Sequence, residues 1–151
     1  MKTIVINETN VSIYYLEDDH EVLINEDGLW LGSGDHINQI VNFTSETATI
    51  YTDVPTISDW YGNKYLYNGS AWSANPDYKA LNMLSADINN SVTTIPVFNA
   101  KAFPSSGGTF LLEDEKITYT GVDGNNLTGC TRGAASTDAA SHSMGIDLFQ
   151  I

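Results

Sequence analysis

The chain has 151 residues, with 19 Asp and Glu against six Lys and Arg, and a formal charge of −13. Nucleic-acid binding needs a basic footprint that releases counterions, so this balance argues against DNA or RNA as a partner, and against an anionic membrane surface for the same reason. Cys130 stands alone, which excludes an intrachain disulfide. No run approaches the ~18 apolar residues of a membrane helix. The opening MKTIVINETN lacks an apolar core of the secretory kind. The expectation is a soluble protein made in a cytoplasm.

Residues 1–82 read as short strands. Thr3–Ile6, Val11–Leu16 and Glu21–Ile24 are rich in Val, Ile and Tyr and are separated by Asn7-Glu8-Thr9-Asn10 and Glu17-Asp18-Asp19-His20. Asn25-Glu26-Asp27-Gly28 leads into Leu29-Trp30-Leu31, and further strands are expected at Gln39–Phe43, Ala48–Thr52, Lys64–Tyr67 and Ala71–Trp72. Turn residues every ~6–12 positions are the pattern of a sandwich or barrel. The last two strands flank Asn68-Gly69, a strong hairpin signal. No long amphipathic helix is present; Asp35–Val41 and Asp77–Leu84 are candidates for a helical turn or two. Alternation within Lys64–Tyr67 puts Tyr65 and Tyr67 on one face.

Asn75-Pro76-Asp77 closes this first unit, and Tyr78–Leu84 reads as a linker. Residues 1–82 hold twelve acidic and three basic residues; residues 83–151 hold seven and three. That shift agrees with a boundary near residue 82. In the second unit, Thr93–Phe98 is a strand in which Pro96 cannot donate to a ladder, so an edge or a strand start is expected. Phe103 to Gly108 is a loop. Phe110–Leu112 and Lys116–Thr120 face each other across Glu113-Asp114-Glu115, followed by a loop at Val122 to Asn125, a short run Asn126–Cys130, and a last strand Ile146–Ile151. The fold class expected is all-β: two small sandwich- or barrel-like units, residues 1–82 and 83–151, joined by a short linker.

Little in the chain points to chemistry. Glu113-Asp114-Glu115 and Glu17-Asp18-Asp19 are acidic enough for a hard cation but lack EF-hand spacing, and read as solvated turns. His20, His36 and His142 lack zinc spacing. Cys130 has no base beside it in sequence and reads as a small buried hydrophobe. There is no nucleophile elbow, and Gly32-Ser33-Gly34 is not followed by the spacing of a phosphate loop. No catalytic residue, metal site or cofactor is expected, and the chain is read as a non-enzyme. The aromatic run Trp60 to Tyr78 has two readings. Trp60, Tyr65, Tyr67 and Trp72 form either a platform for stacking sugar rings or the core of a small sheet, and alternation with small and polar residues favours the core. Tyr and Trp at an oligomer or partner interface is an intermediate case.

One stretch carries a resemblance. Thr93 to Val97, Phe103-Pro104, Gly108, Glu115, Ile117, Tyr119 to Gly121, Asn125, Leu127 to Ala134 (L-T-G-C-T-R-G-A), Thr137, Ala139, His142 and Gly145 together resemble a small module of structural proteins from tailed bacteriophages, marine and cyanobacterial ones especially. The opening MKTIVINETNVSIYYLEDD and the stretch from Trp60 to Tyr78 also resemble small proteins of cyanobacterial phages. The resemblance implies a non-enzymatic virion component, present in many copies and docked on other virion structural proteins. The resemblance does not say which part of the virion; the expectation is a tail, baseplate or neck attachment role, with decoration of the capsid head as the alternative, and the aromatic run gives a reading from another class, a carbohydrate-binding module for host glycans. Glu115 occupies the fixed acidic position of that module and is a candidate partner for Arg132, whose planar fork suits a carboxylate. His142 is expected to anchor its loop by a hydrogen bond. Tyr119, Leu127, Thr131, Arg132 and His142 are the residues expected to dock or to organise the docking surface.

Overall fold

The computed structural model describes residues 1–32 and 37–151. The chain is all-β, as expected, and divides into two compact units, Met1–Tyr78 and Lys79–Ile151.

The first unit holds eight strands among the described residues: β1 (Lys2–Ile6), β2 (Ser12–Leu16), β3 (Val22–Asn25), β4 (Gly28–Leu31), β5 (Asn38–Ile40), β6 (Ala48–Tyr51), β7 (Tyr65–Tyr67) and β8 (Trp72–Ala74). They form three open antiparallel sheets, ordered β2-β1-β6, β3-β4-β5 and β7-β8. β1 is central because Thr3-Ile4-Val5 is buried on both faces, and successive side chains of a strand point to opposite sides. Ile4 packs with Leu29 and Ala48 on one side; Val5 packs with Val54 and Tyr67 on the other. The Asn68-Gly69 hairpin forms, with Tyr67 opposite Trp72 and Asn68 Oδ1 accepting the N–H groups of Ser70 and Ala71.

The second unit holds β9 (Leu81–Met83), β10 (Ile95–Pro96), β11 (Gly108–Leu112), β12 (Glu115–Tyr119), β13 (Gly121–Asp123), β14 (Asn126–Thr128), β15 (Thr131–Ala134) and β16 (Asp147–Gln150). One five-stranded sheet runs β15-β12-β11-β16-β9, and a three-stranded sheet runs β10-β14-β13. Pro96 lies on the edge strand β10, where its missing donor costs no ladder bond. The core is drawn from Phe103, Phe110, Leu112, Ile117, Leu127 and Leu148, all at most 1 % exposed.

Three expectations need correction. The segment Tyr78–Leu84, read as a linker or a helical turn, contains β9, and the change of unit falls after Tyr78. Leu81, Asn82 and Met83 pair with Phe149, Leu148 and Asp147, so long-range pairing claims residues whose local composition looked like a connection. For Asp35–Val41, the described part is strand: Asn38, Gln39 and Ile40 pair with Leu31, Trp30 and Leu29. Ser33, Gly34, Asp35 and His36 lie outside the described residues. Finally, Glu115 is no part of the turn. The β11–β12 hairpin closes over Glu113-Asp114 alone, with Leu112 opposite Glu115, which aims the Glu115 side chain inward.

Candidate functional site

The densest polar cluster of the second unit is built around Glu115. Period-2 alternation in β12 buries Glu115, Ile117 and Tyr119 together, so this carboxylate enters the core side of the sheet. A buried charge must be paired and fully hydrogen-bonded. Arg132, on the neighbouring strand β15, supplies the pair: Nε donates to Oε1 at 2.8 Å and Nη2 to Oε2 at 2.8 Å. The backbone N–H groups of Gly133 and Ala140 add bonds of 2.9 and 3.1 Å.

His142 completes the cluster. Its Nε2 lies 2.8 Å from Glu115 Oε2 and its Nδ1 2.6 Å from Glu113 Oε2. The imidazole thereby bridges the two acidic side chains. The His142 backbone is held as well, exchanging both N–H···O bonds with Ile88. Arg132 reaches further: Nη1 donates to the Asn89 carbonyl and Nη2 to the Ala140 carbonyl, each at 2.6 Å. One buried carboxylate thus ties together the β11–β12 turn, the start of β15, the loop after it, and the segment around Asn89. Burial works to raise the Glu115 carboxyl, but the bonds from Arg132, His142, Ala140 and Gly133 outweigh it and hold it down at about 2.

The L-T-G-C-T-R-G-A stretch explains itself around this hub. Leu127 is fully buried, and the Cys130 thiol bonds to its carbonyl. Gly129 has φ +60°, and a Cβ there would sit 2.0 Å from Thr120 Oγ1. Gly133 has φ +59°, and a Cβ would sit 2.8 Å from the Thr137 carbonyl. Only glycine fits both places. Thr137 accepts the Lys116 N–H and donates to the Ala134 carbonyl, closing the irregularity between β12 and β15. Tyr119 donates to the Pro104 carbonyl and packs edge-on against Phe103.

Of the five residues expected to dock or organise, Tyr119, Leu127 and His142 are buried, and the Arg132 side chain is only 6 % exposed. They organise the unit from within, because the groups they bind, the Glu113 and Glu115 carboxylates and backbone carbonyls, belong to the same unit. Thr131 alone is exposed. Sequence reasoning missed the Glu113–His142 contact and the role of Asn89. The acidic turn is read from composition, whereas its partner arrives from 29 residues away.

The aromatic residues of the first unit are likewise engaged. Trp60 stacks on Tyr15 and its Nε1 donates to Ser12 Oγ; Ser12 in turn shares a hydrogen bond with Thr3 in the buried interior. The Trp72 Nε1 donates to the Pro55 carbonyl, and its ring contacts Tyr15, Tyr65 and Tyr67. Tyr67 is buried, so it is lost to any sugar platform, and Tyr65 donates to Asp59. Burial of Tyr65, with that bond, pushes its hydroxyl well above the usual range. Burial alone would raise Asp59, but Tyr65 and Lys64 hold it below its ordinary value. Four side chains of similar sequence spacing therefore do not form one exposed plane.

Glu113, Glu115, Thr137 and His142 line a depression of the surface, and the buried polar atoms of the cluster are all paired. No buried side-chain nitrogen or oxygen among the described residues lacks a hydrogen-bond partner, and no group of His, Cys, Asp and Glu among them has metal-holding geometry. Cys130 is buried, and burial pushes its thiol up to about 11, against the direction a nucleophile needs. Glu115 is held ionised, but every lone-pair direction that faces the protein is taken. Among the described residues no helix is long and apolar enough to cross a membrane. No protein-family model, curated protein or solved structure matches the chain.

Proposed function

We propose that this protein is a non-enzymatic structural component of a tailed-phage virion, attached at the tail, baseplate or neck. The observation that carries the reading is that the residues bearing the phage-module resemblance are spent on holding one rigid unit. Glu115, Arg132 and His142 form the hub, Gly129 and Gly133 allow the chain to pass, and Leu127, Ile117 and Tyr119 fill the core. Such a motif preserves a shape, as an assembly module requires. The acidic surface is consistent with a protein that stays soluble until it meets its neighbours.

Mass spectrometry of density-purified particles, scaled to the major capsid protein, tests this. A few to about a dozen copies per particle fits a neck, baseplate or fibre-attachment ring; hundreds of copies point to head decoration or a tail-tube layer. Absence from particles overturns the virion reading and brings forward the carbohydrate-binding one. That reading is then tested by quenching of Trp fluorescence with host polysaccharide. It is the weaker of the two, since Trp60 and Trp72 spend their indole N–H groups inside the first unit.

A further inference from the structure

Each unit carries an apolar sheet face turned to solvent, and the two differ in the charge around them. In the first unit, Leu23, Trp30 and Gln39 are directly opposite one another across β3, β4 and β5, on the side away from the Ile4–Leu29 core. Leu23, Ile37 and Val41 are 59, 52 and 65 % exposed. Asp18, Asp19 and Glu21 border the same depression as Leu23 and Trp30, with Lys2 and His20 among them. Lys2 is occupied there, donating to the carbonyls of Asp18 and His20, and the N-terminal ammonium pairs with the Asp18 carboxylate at 2.7 Å, so Asp19 and Glu21 carry the acidity of this border.

In the second unit, one row of the five-stranded sheet reads Lys116, Leu111, Phe149, Leu81, each opposite the next, and Asp147 faces Met83 in the adjoining row. Their neighbours Phe110, Leu112 and Leu148 point into the core, so this row lies on the outer face. Leu81, Met83 and Phe149 are 52, 43 and 47 % exposed. Lys116 lies in that row between Ala134 and Leu111, and Lys79 stands two residues before Leu81; Asp147 is the one carboxylate among the strand residues of this face.

Contiguous apolar surface of this kind marks an interaction site. We infer that the occupant is a second copy of this chain, bound head to tail: the acid-bordered face of β3–β5 in one copy docks on the lysine-bordered face of β9, β16 and β11 in the next. Charge decides the pairing. Two β3–β5 faces would bring Asp19 and Glu21 against themselves, and two second-unit faces would oppose Lys79 and Lys116, whereas the mixed contact joins opposite signs. A contact between two different faces leaves one of each free, so it propagates into a ring or a filament. This contact between copies is independent of where in a particle, or whether in one, the protein resides.

Sedimentation equilibrium of the full chain up to about 1 mM tests the inference. Wild-type mass is expected to rise above the 16.5 kDa of one chain with concentration, and the association to weaken as salt goes from about 50 to about 500 mM. Leu23→Glu and Phe149→Glu each alter an exposed side chain, and each alone is expected to weaken association at least about tenfold. Mixed together they are expected to form a 1:1 dimer that grows no further, since each supplies the face the other lacks. Leu81→Glu serves as a second variant for Phe149→Glu, and near-UV circular dichroism verifies the fold of each. A wild-type chain that stays monomeric overturns the inference. So does a single variant that still associates as wild type, or a mixture that remains monomeric, either of which signals a like-with-like contact or none.

Discussion

The Arg132 guanidinium grips the Glu115 carboxylate edge to edge, with Nε–Oε1 and Nη2–Oε2 both at 2.8 Å, and Glu115 is 2 % exposed. A two-pronged contact of this kind fixes the angle between β12 and β15 as well as their spacing. Removing one partner leaves a buried charge uncompensated, which costs about 3–5 kcal/mol. Arg132→Ala is expected to destabilise the second unit by that amount in urea unfolding. Arg132→Lys, which keeps the charge but loses the planar fork, is expected to recover less than half.

The same carboxylate makes stability depend on pH. Its ordinary value is 4.5 and the folded state holds it at about 2. A depressed carboxyl stabilises the fold above its ordinary value and loses that contribution as pH falls through the window from 4.5 to about 2. The difference in unfolding free energy between wild type and Glu115→Gln is therefore expected to be full near pH 6 and to shrink by roughly 3 kcal/mol on acidification. A difference that stays constant over that window would mean the carboxylate is not held by its partners.

Gly129 and Gly133 impose different demands. At Gly129 a methyl group meets the tip of Thr120, so Gly129→Ala is expected to be partly rescued by Thr120→Ala. At Gly133 the obstacle is the Thr137 backbone carbonyl, which no side-chain change removes. Both substitutions carry the additional strain of positive φ, about 1 kcal/mol or more. Thermal melts of the two single variants and of the Gly129–Thr120 double variant check this.

Cys130 is expected to resist a thiol reagent such as DTNB in the folded protein at pH 8 and to react fully in urea. Burial both blocks the sulfur and raises its thiol to about 11. Rapid labelling without denaturant would show that the β14–β15 connection opens readily.

Trp60 and Trp72 are expected to behave as structural residues. Trp60→Phe removes the donor that serves the buried Ser12 hydroxyl, a loss of about 1 kcal/mol. Trp72→Ala strips a ring that touches Tyr15, Tyr65 and Tyr67, with a cost of about 3 kcal/mol or more. Unfolding followed by tyrosine and tryptophan fluorescence measures both.

The sequence by itself determined the class of this protein. Short Val-, Ile- and Tyr-rich runs between turn residues form strands, which makes an all-β chain; alternation placed Tyr65 and Tyr67 on one face, and the missing N–H placed Pro96 at an edge. The sequence, through the resemblance of its second unit, also marked Glu115 and Arg132 as candidate partners. It could not tell that Glu115 leaves the acidic turn, because a two-residue or a three-residue turn fits the same letters and only the pairing of Leu112 with Glu115 decides. Nor could it find β9, whose residues become a strand through pairing with β16 some 66 residues later in the chain. The contacts of His142 with Glu113 and Glu115, the burial of Tyr119 and Leu127, and the side on which Leu23 and Phe149 face solvent are likewise products of the tertiary structure. Strand-forming tendency acts between neighbours in sequence, whereas burial and ion pairing act between neighbours in space, and only folding brings the second kind together.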